Sequence, residues 1–250
     1  MGAGSAPGRP LLERGEQPLV KLLLVGGSGH LGSLICPHLA PNFELRILDP
    51  RPPADASLDY HAGCAGDLPT LQRALQGCQA LVYLPLAQKP DGGPDVQGLD
   101  ANFDLQVKYL YQALQQARRM HIARAVFASS MSVHRHPPQL EEVAGDAHDT
   151  YGLVKQLGEQ VCQHATRGSS LTVVALRLYR PVALGDFFDP EQSRRFPHQV
   201  AAPDVARAFA RSILEPLQGF HVFNIASTLQ VCQRAQEVLN WHPHYVGSPV

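Results

Sequence analysis

Tyr151 and Lys155 are four residues apart in the stretch Tyr151-Gly152-Leu153-Val154-Lys155. If that stretch is helical, the spacing puts a phenol and an ammonium on one face, one turn apart. A cation beside a phenol favours the phenolate and lowers its pKa from about 10 toward neutrality. Such a pair can exchange a proton with an alcohol or a ketone. The same spacing also occurs in ordinary exposed helix pairs, so the rest of the chain must show whether a cofactor and a substrate reach it.

The elements that would do so follow from hydrophobic patterning. Val20 to Val25 is an apolar run that fits a strand buried on both faces of a parallel sheet. Gly26-Gly27-Ser28-Gly29-His30-Leu31-Gly32 comes next, and the following residues read as a helix through Leu39, with Pro37 expected to kink or shorten it. Glycines at 26, 29 and 32 form a G-x-x-G-x-x-G variant of the dinucleotide fingerprint. It combines a tight turn, a close backbone approach to a pyrophosphate and a close helix–strand contact, with the helix N-terminus facing the anion. A second strand, Glu44 to Asp49, ends in an acid about twenty residues past the glycines, where a carboxylate accepts ribose hydroxyls and repels a 2′-phosphate. NAD is therefore favoured over NADP. Arg51 could soften that preference, and Asp49 could instead start a turn before Pro50.

Further strands are expected at Tyr60–Cys64, Ala80–Leu84, Arg124–Ser130 and Thr172–Leu178, alternating with helices at Leu68–Gln76, Asp100–Arg118 and Tyr151–Ala165. This order predicts an α/β fold, a doubly wound parallel (Rossmann) sheet. Asp67 could cap its helix or face an adenine amine. Ser130 falls at the carboxyl end of a strand, the edge at which such sheets bind ligands. The boundaries expected are a disordered tail over 1–18, a dinucleotide-binding domain over 19–180, and a small substrate lobe over 181–250 interleaved with the end of the sheet.

Charge and composition exclude other classes. A formal net charge of −1 provides no global field to recruit nucleic acid or an acidic membrane. The apolar runs are strand-sized, far short of the ~20 residues a membrane span needs. The five cysteines are scattered without C-x-x-C or zinc-ligand spacing and read as reduced, buried residues of a cytoplasmic protein. His134 and His136 have no acidic or cysteine partner at a ligand-like spacing, so no metal is expected.

Taken in order, these pieces resemble the extended short-chain dehydrogenase/reductase family, also called the NAD-dependent epimerase/dehydratase family. The pieces are the turn at Gly26 to Gly32, Asp49, Gly66-Asp67-Leu68, Asn102, Val126 to Ser130, Tyr151 to Lys155 and Leu176-Arg177-Leu178, then Ala202 to Ala206, Val222 to Ala226 and Leu239 to Pro243. The resemblance implies Tyr151 as acid/base, Lys155 as the holder of the nicotinamide ribose, and Ser130 as the hydrogen-bond partner of the reacting oxygen, with Ser129 and Ser132 as near alternatives for that role. It implies cofactor contacts at Gly26, Ser28, Gly29, His30, Leu31, Gly32, Asp49, Asp67, Leu68, Leu84, Asn102 and Lys155. His134 replaces the usual tyrosine four residues after Ser130.

Only about twenty residues separate Gly185 from Asp204, where relatives carry a long substrate segment. That shortness points to a small polyol-like or sugar-acid substrate, and the shortened lobe resembles uronate dehydrogenases, which oxidise hexuronic acids with NAD. Arg177 matches an arginine of that group and could hold a substrate carboxylate, or could pair within the protein. Ser132 stands where that group has a histidine, and Pro85-Leu86-Ala87 replaces a more polar loop. Other readings are an epimerase or dehydratase that returns the hydride, and a non-catalytic dinucleotide sensor. Relatives often pair through the helices matching Asp100–Arg118 and Tyr151–Ala165, which makes a homodimer the expected assembly.

Overall fold

A computed structural model describes residues 19–87, 99–141 and 144–246. The tail expected over 1–18 and most of the Gly/Pro/Asp loop that follows the fourth strand lie outside the described residues. Strands β1 (Val20–Val25), β2 (Phe43–Asp49), β3 (Asp59–Ala62) and β4 (Ala80–Tyr83) alternate with helices α1 (His30–Leu39) and α2 (Leu68–Leu75). Next come α3 (Leu99–Phe103), a π-helical turn (Asp104–Tyr109), α4 (Leu110–Arg119), β5 (Arg124–Ser130), α5 (Thr150–Thr166) and β6 (Thr172–Leu178). The C-terminal part adds β7 (Pro181–Val182), α6 (Leu184–Phe187), α7 (Pro190–Arg195), β8 (Val200–Ala201), α8 (Ala202–Leu214), β9 (Phe220–Ile225) and α9 (Gln233–Leu239).

Among the described residues, seven strands form one parallel sheet in the order β3-β2-β1-β4-β5-β6-β9. Alternation within the strands divides the core. Leu22, Leu24, Ile47 and Val82 face a layer containing Ile35 and Leu39 of α1 and Val205 and Phe209 of α8. Leu23, Val25, Leu81 and Tyr83 face α2, α4 and α5 through Leu71, Leu114 and Cys162. A strand with two-residue periodicity and both faces covered must be apolar throughout, which is why Leu22-Leu23-Leu24-Val25 has no polar break. Chain direction across the sheet reverses between β1 and β4, the switch point at which an open α/β sheet leaves a crevice.

The C-terminal segment is shared between sheet and cap. β9 extends the main sheet beside β6, whereas β7 and β8 pair separately over a small cluster of Val182, Phe187 and Ala201. Asp204 fastens the end of the chain: its carboxylate accepts from Arg207 and from the His244 and Tyr245 amides, and its carbonyl from the Trp241 indole.

The helix expected over Asp100–Arg118 departs from a regular α-helix, being divided into α3, the π turn and α4. The π turn carries one extra residue per turn, so the buried side chain there is Gln106, fully enclosed, while Val107 is half-buried and Phe103 exposed. Beyond the turn Leu110, Ala113, Leu114 and Ala117 regain the inward face. Pro37 falls in the last turn of α1 and the helix ends two residues later.

Candidate active site

At the switch point the backbone of Gly26 adopts φ +78°, and a Cβ there would lie 2.9 Å from the Pro85 nitrogen after β4. Any L side chain is both strained and blocked at this position. Gly32 allows the close contact expected of the third glycine: its Cβ would lie 2.1 Å from the Gly27 carbonyl oxygen. Helix α1 opens without a side-chain cap and without an acid in its first turn, leaving its positive end available to an anion. The Ser28 hydroxyl is buried without a partner. A turn that excludes side chains, an uncapped helix start and an unpaired hydroxyl fit a pyrophosphate.

Asp49 ends β2 beside this turn. It is buried, and its two oxygens accept from the Ser28 and Arg51 amides at 3.2 and 2.9 Å. A cavity of about 350 Å³ runs from Asp49, Cys64 and Ala65 past Gly26, Gly29, His30 and Leu31. It continues between Leu84-Pro85-Leu86 and Leu105 to Ser129, Ser130, Tyr151 and Lys155, and ends at Leu178, Arg180 and Pro181.

At the far end α5 brings Tyr151 and Lys155 to the carboxyl edge of β5. Asp149 caps the helix by accepting from the Gly152 amide at 2.7 Å. Gly152 lets the helix start sit against the turn after β5, since a Cβ would lie 2.0 Å from the Ser132 carbonyl. Ser130 accepts from the Ser132 amide and meets its hydroxyl at 3.2 Å. Lys155 is buried, with Nζ donating to the Ala128 carbonyl at 2.6 Å and to Gln106 at 3.0 Å.

The electrostatics differ from the expectation drawn from spacing. Burial raises the Tyr151 phenol above its ordinary value, opposed by a hydrogen bond with Ser130 and reinforced by Asp149. The Lys155 ammonium stands 5.8 Å from the Tyr151 ring centre, and desolvation of the phenolate outweighs any help from it. Lys155 itself is the group brought near neutrality, pushed down to about 7 by burial.

The family model for the NAD-dependent epimerase/dehydratase family matches residues 22–209. The chain belongs to the NAD-dependent epimerase/dehydratase family. It is therefore an enzyme of the dehydrogenase/epimerase type, with NAD as its cofactor. No curated protein matches the chain.

Among solved structures, the fold is similar to a short-chain dehydrogenase/reductase superfamily protein from Agrobacterium tumefaciens with bound NAD (TM-score 0.76, 17% identity, 90% of this chain and 93% of that one). It is also similar to UDP-glucose 4-epimerase from Brucella ovis in complex with NAD (0.76, 16%, 91% and 94%) and to uronate dehydrogenase from A. tumefaciens (0.73, 20%, 92% and 86%). The similarity extends over nearly all of that epimerase chain.

In this family member the residues singled out from sequence fall into two groups. Gly26, Gly29, His30, Leu31, Asp49, Leu84, Ser130, Tyr151 and Lys155 line one cavity, with Gly32 and Ser28 packed directly behind the turn. Asp67, Leu68, Asn102, Ser132 and Arg177 are not among its lining residues. Asp67 caps α2 by accepting from the Thr70 amide and hydroxyl, and Leu68 packs on the core. Asn102 pairs with the amide and carbonyl of Ala87, fixing the chain after β4.

Arg177 is engaged within the protein. Nε and one terminal nitrogen donate to the two oxygens of Glu159 at 2.9 and 2.8 Å, and the other meets His134 at 3.1 Å and the Glu141 carbonyl at 3.4 Å. Glu159 also accepts from Ser129 at 2.6 Å. Sequence reasoning missed Glu159 and Gln106. Glu159 had a signal, since it follows Lys155 by four residues on the same helix face; Gln106 had none, because the π turn that buries it leaves no periodic trace.

Proposed function

We propose that the protein is an NAD-dependent oxidoreductase acting on a small sugar-like or sugar-acid alcohol by Tyr151, Lys155 and Ser130 acid–base chemistry. The observation that carries this reading is the convergence of Tyr151, Ser130 and Lys155 at one end of a cavity whose other end is built by the glycine turn and Asp49. When bound, NAD supplies the ring that takes up or returns the hydride.

The chain's residues move the proton. Ser130 holds the reacting oxygen, and Tyr151, a protonated phenol at neutral pH, gives its proton to that oxygen as a carbonyl is reduced. The reverse step requires the phenolate. Lys155 lies on the cavity floor with two of its donors taken by Ala128 and Gln106, which leaves a third for a ribose hydroxyl. Asp49 stands where the adenosine ribose hydroxyls would be held.

With Arg177 gripped by Glu159, the cation placed for a substrate carboxylate is Arg180. It lines the cavity beyond Ser130, is stacked 3.7 Å from the centre of the Phe196 ring, and donates to the neutral Gln192 at 3.0 Å. Its φ of +41° is uncommon for a non-glycine residue. Residues 19–180 form the dinucleotide-binding domain, with Arg180 at its border, and 181–250 add the small substrate lobe and the last strand of the sheet. Exposed Phe103, Tyr111 and Leu153 along α3, α4 and α5 suit a twofold pairing in the cytoplasm.

A second reading, an epimerase that returns the hydride to a nucleotide sugar, is favoured by the similarity over almost the whole of a UDP-glucose 4-epimerase. Absorbance of NADH at saturating NAD separates the two. Accumulation with hexuronates or other small polyols, and none with UDP-hexoses, supports the dehydrogenase. Interconversion of UDP-hexoses without NADH accumulation overturns it.

A further inference from the structure

Gln106 occupies the π turn before α4 and is fully buried. An amide in that position must find partners for both ends, because an unpaired buried donor or acceptor costs about 1–3 kcal/mol. Its carbonyl accepts from Lys155 Nζ at 3.0 Å, and its NH2 donates to the Pro85 carbonyl. Only one orientation of the amide satisfies both contacts. Turned over, NH2 would face the ammonium and carbonyl would face carbonyl. The Pro85 carbonyl can only accept, so it fixes the orientation, and Lys155 meets an acceptor whatever its own protonation state.

The remaining surroundings of Lys155 do not supply a matching anion. On its own helix it faces the Tyr151 ring, Glu159 and Cys162, and from β5 the Phe127 ring at 5.0 Å and the Ala128 carbonyl. Both Glu159 oxygens are already bonded to Arg177, one of them also to Ser129. Burial therefore pulls the lysine toward its neutral form; the Glu159 charge opposes that pull from one turn away, and the atoms that accept directly from the ammonium are two neutral oxygens. One of the two belongs to the sheet and is fixed. The other belongs to Gln106.

We propose that Gln106 is a positioning residue for Lys155: its carbonyl holds the lysine in the ammonium form on the cavity floor, and its amide makes that hold depend on the Pro85 backbone. The inference rests on the reading of Lys155 as part of the active site, and it gives Leu84-Pro85-Leu86, which lines the same cavity, a route to the lysine's proton. A ligand that shifts this segment alters the acceptor offered to Lys155 without touching it.

The chain has four lysines (Lys21, Lys89, Lys108 and Lys155), so a ¹³Cε-lysine-labelled apoprotein gives a short NMR spectrum in which Lys155 is assigned by its loss in Lys155→Arg. Gln106→Met keeps length and burial but removes the acceptor; Gln106→Glu keeps an acceptor and adds charge. The expected result is a Lys155 titration midpoint lowered by about one pH unit or more in Gln106→Met and raised by at least as much in Gln106→Glu, about tenfold in proton affinity each way. A midpoint unmoved in both variants, or moved against these directions in either, overturns the proposal. If Gln106→Met does not fold, Gln106→Glu decides alone, an unchanged or lowered midpoint being the overturning result.

The pH profile of carbonyl reduction should move in the same direction as the NMR midpoint. NMR shifts with an unmoved profile leave Gln106 in its role and count against Lys155 in catalysis. The two readings therefore fail separately.

Discussion

Two buried cations, one on the cavity floor and one outside its lining, are made opposites by their partners. Lys155 and Arg177 are 3% and 6% exposed, so burial does not distinguish them. Lys155 is held by a backbone carbonyl and an amide oxygen, both neutral, and its ammonium is pushed down to about 7. Arg177 is held on two nitrogens by one carboxylate, which offsets its charge, and its third nitrogen is engaged by His134 and the Glu141 carbonyl. A buried cation becomes chemically useful when its partners are polar but uncharged. A carboxylate partner converts the same burial into scaffolding.

Helix α5 carries both kinds in three successive turns. Tyr151 and Lys155 face the cavity, and Glu159, one turn on, clamps Arg177 and accepts from Ser129, whose neighbour is Ser130. The comparison breaks most readily at its chemical end. Tyr151→Phe should lower turnover about 10³-fold, within the range for a lost general acid or base, with KM and the unfolding midpoint nearly unchanged. Steady-state kinetics beside a denaturant melt would show it, and a retained turnover would remove Tyr151 from the reaction.

At the structural end the pattern inverts. Glu159→Ala strands the Arg177 guanidinium in a site closed to water, and breaking one side of a buried pair costs about 3–5 kcal/mol. Urea unfolding should show that loss, while molecules still folded keep a larger share of activity than Tyr151→Phe does. A variant as stable as the parent would mean that Arg177 is not held by Glu159, and would free it for a substrate carboxylate.

The sequence makes one side of this comparison legible and hides the other. Strand alternation and the Gly26–Gly32 turn locate the sheet edge because both have short-range causes: a buried strand must be apolar, and a backbone facing a phosphate must lack Cβ. Tyr151 and Lys155 come together by helical spacing alone. The spacing does not show which solvation effect prevails, and the phenol expected to be lowered is raised, because the sequence carries no measure of how deeply α5 is covered. Arg177 is the converse case. Its role depends on Glu159, which precedes it by eighteen residues and meets it only when α5 packs on β5 and β6. Gln106 is the hardest to read, since the extra residue of the π turn shifts the inward face by one place and Val107 would be chosen in its stead.

The titration of Lys155 sharpens the contrast by a smaller factor. In carbonyl reduction Tyr151 donates its proton and Lys155 serves as a cation, so both must be protonated. The phenol stays protonated across the neutral range and the lysine does not. Reduction should be flat below about pH 7 and fall about tenfold per unit as Lys155 loses its charge. Lys155→Arg, which keeps its proton at any accessible pH, should extend the plateau upward at a reduced maximum. If the parent profile is level through pH 9, the lysine is not the titrating group and its neutral partners do not matter.

The smallest effect concerns a third cation, Arg180, which tests whether clamping is what keeps Arg177 from the substrate. Arg180 has no carboxylate partner among the described contacts. It rests on the Phe196 ring, bonds the uncharged Gln192, and borders the cavity beside Pro181. By the rule drawn from Lys155 and Arg177, it is the cation free to take up an anion. A charge-assisted bond at a partly open site is worth about 1.5–3 kcal/mol, so Arg180→Ala should raise KM for a sugar acid about tenfold or more and leave KM for the matching uncharged sugar within about twofold. Equal changes for both substrates would assign Arg180 to the packing of the rim around Phe196. No change for either would place the carboxylate elsewhere, and the double variant with Glu159→Gln would then show whether a loosened Arg177 can reach it.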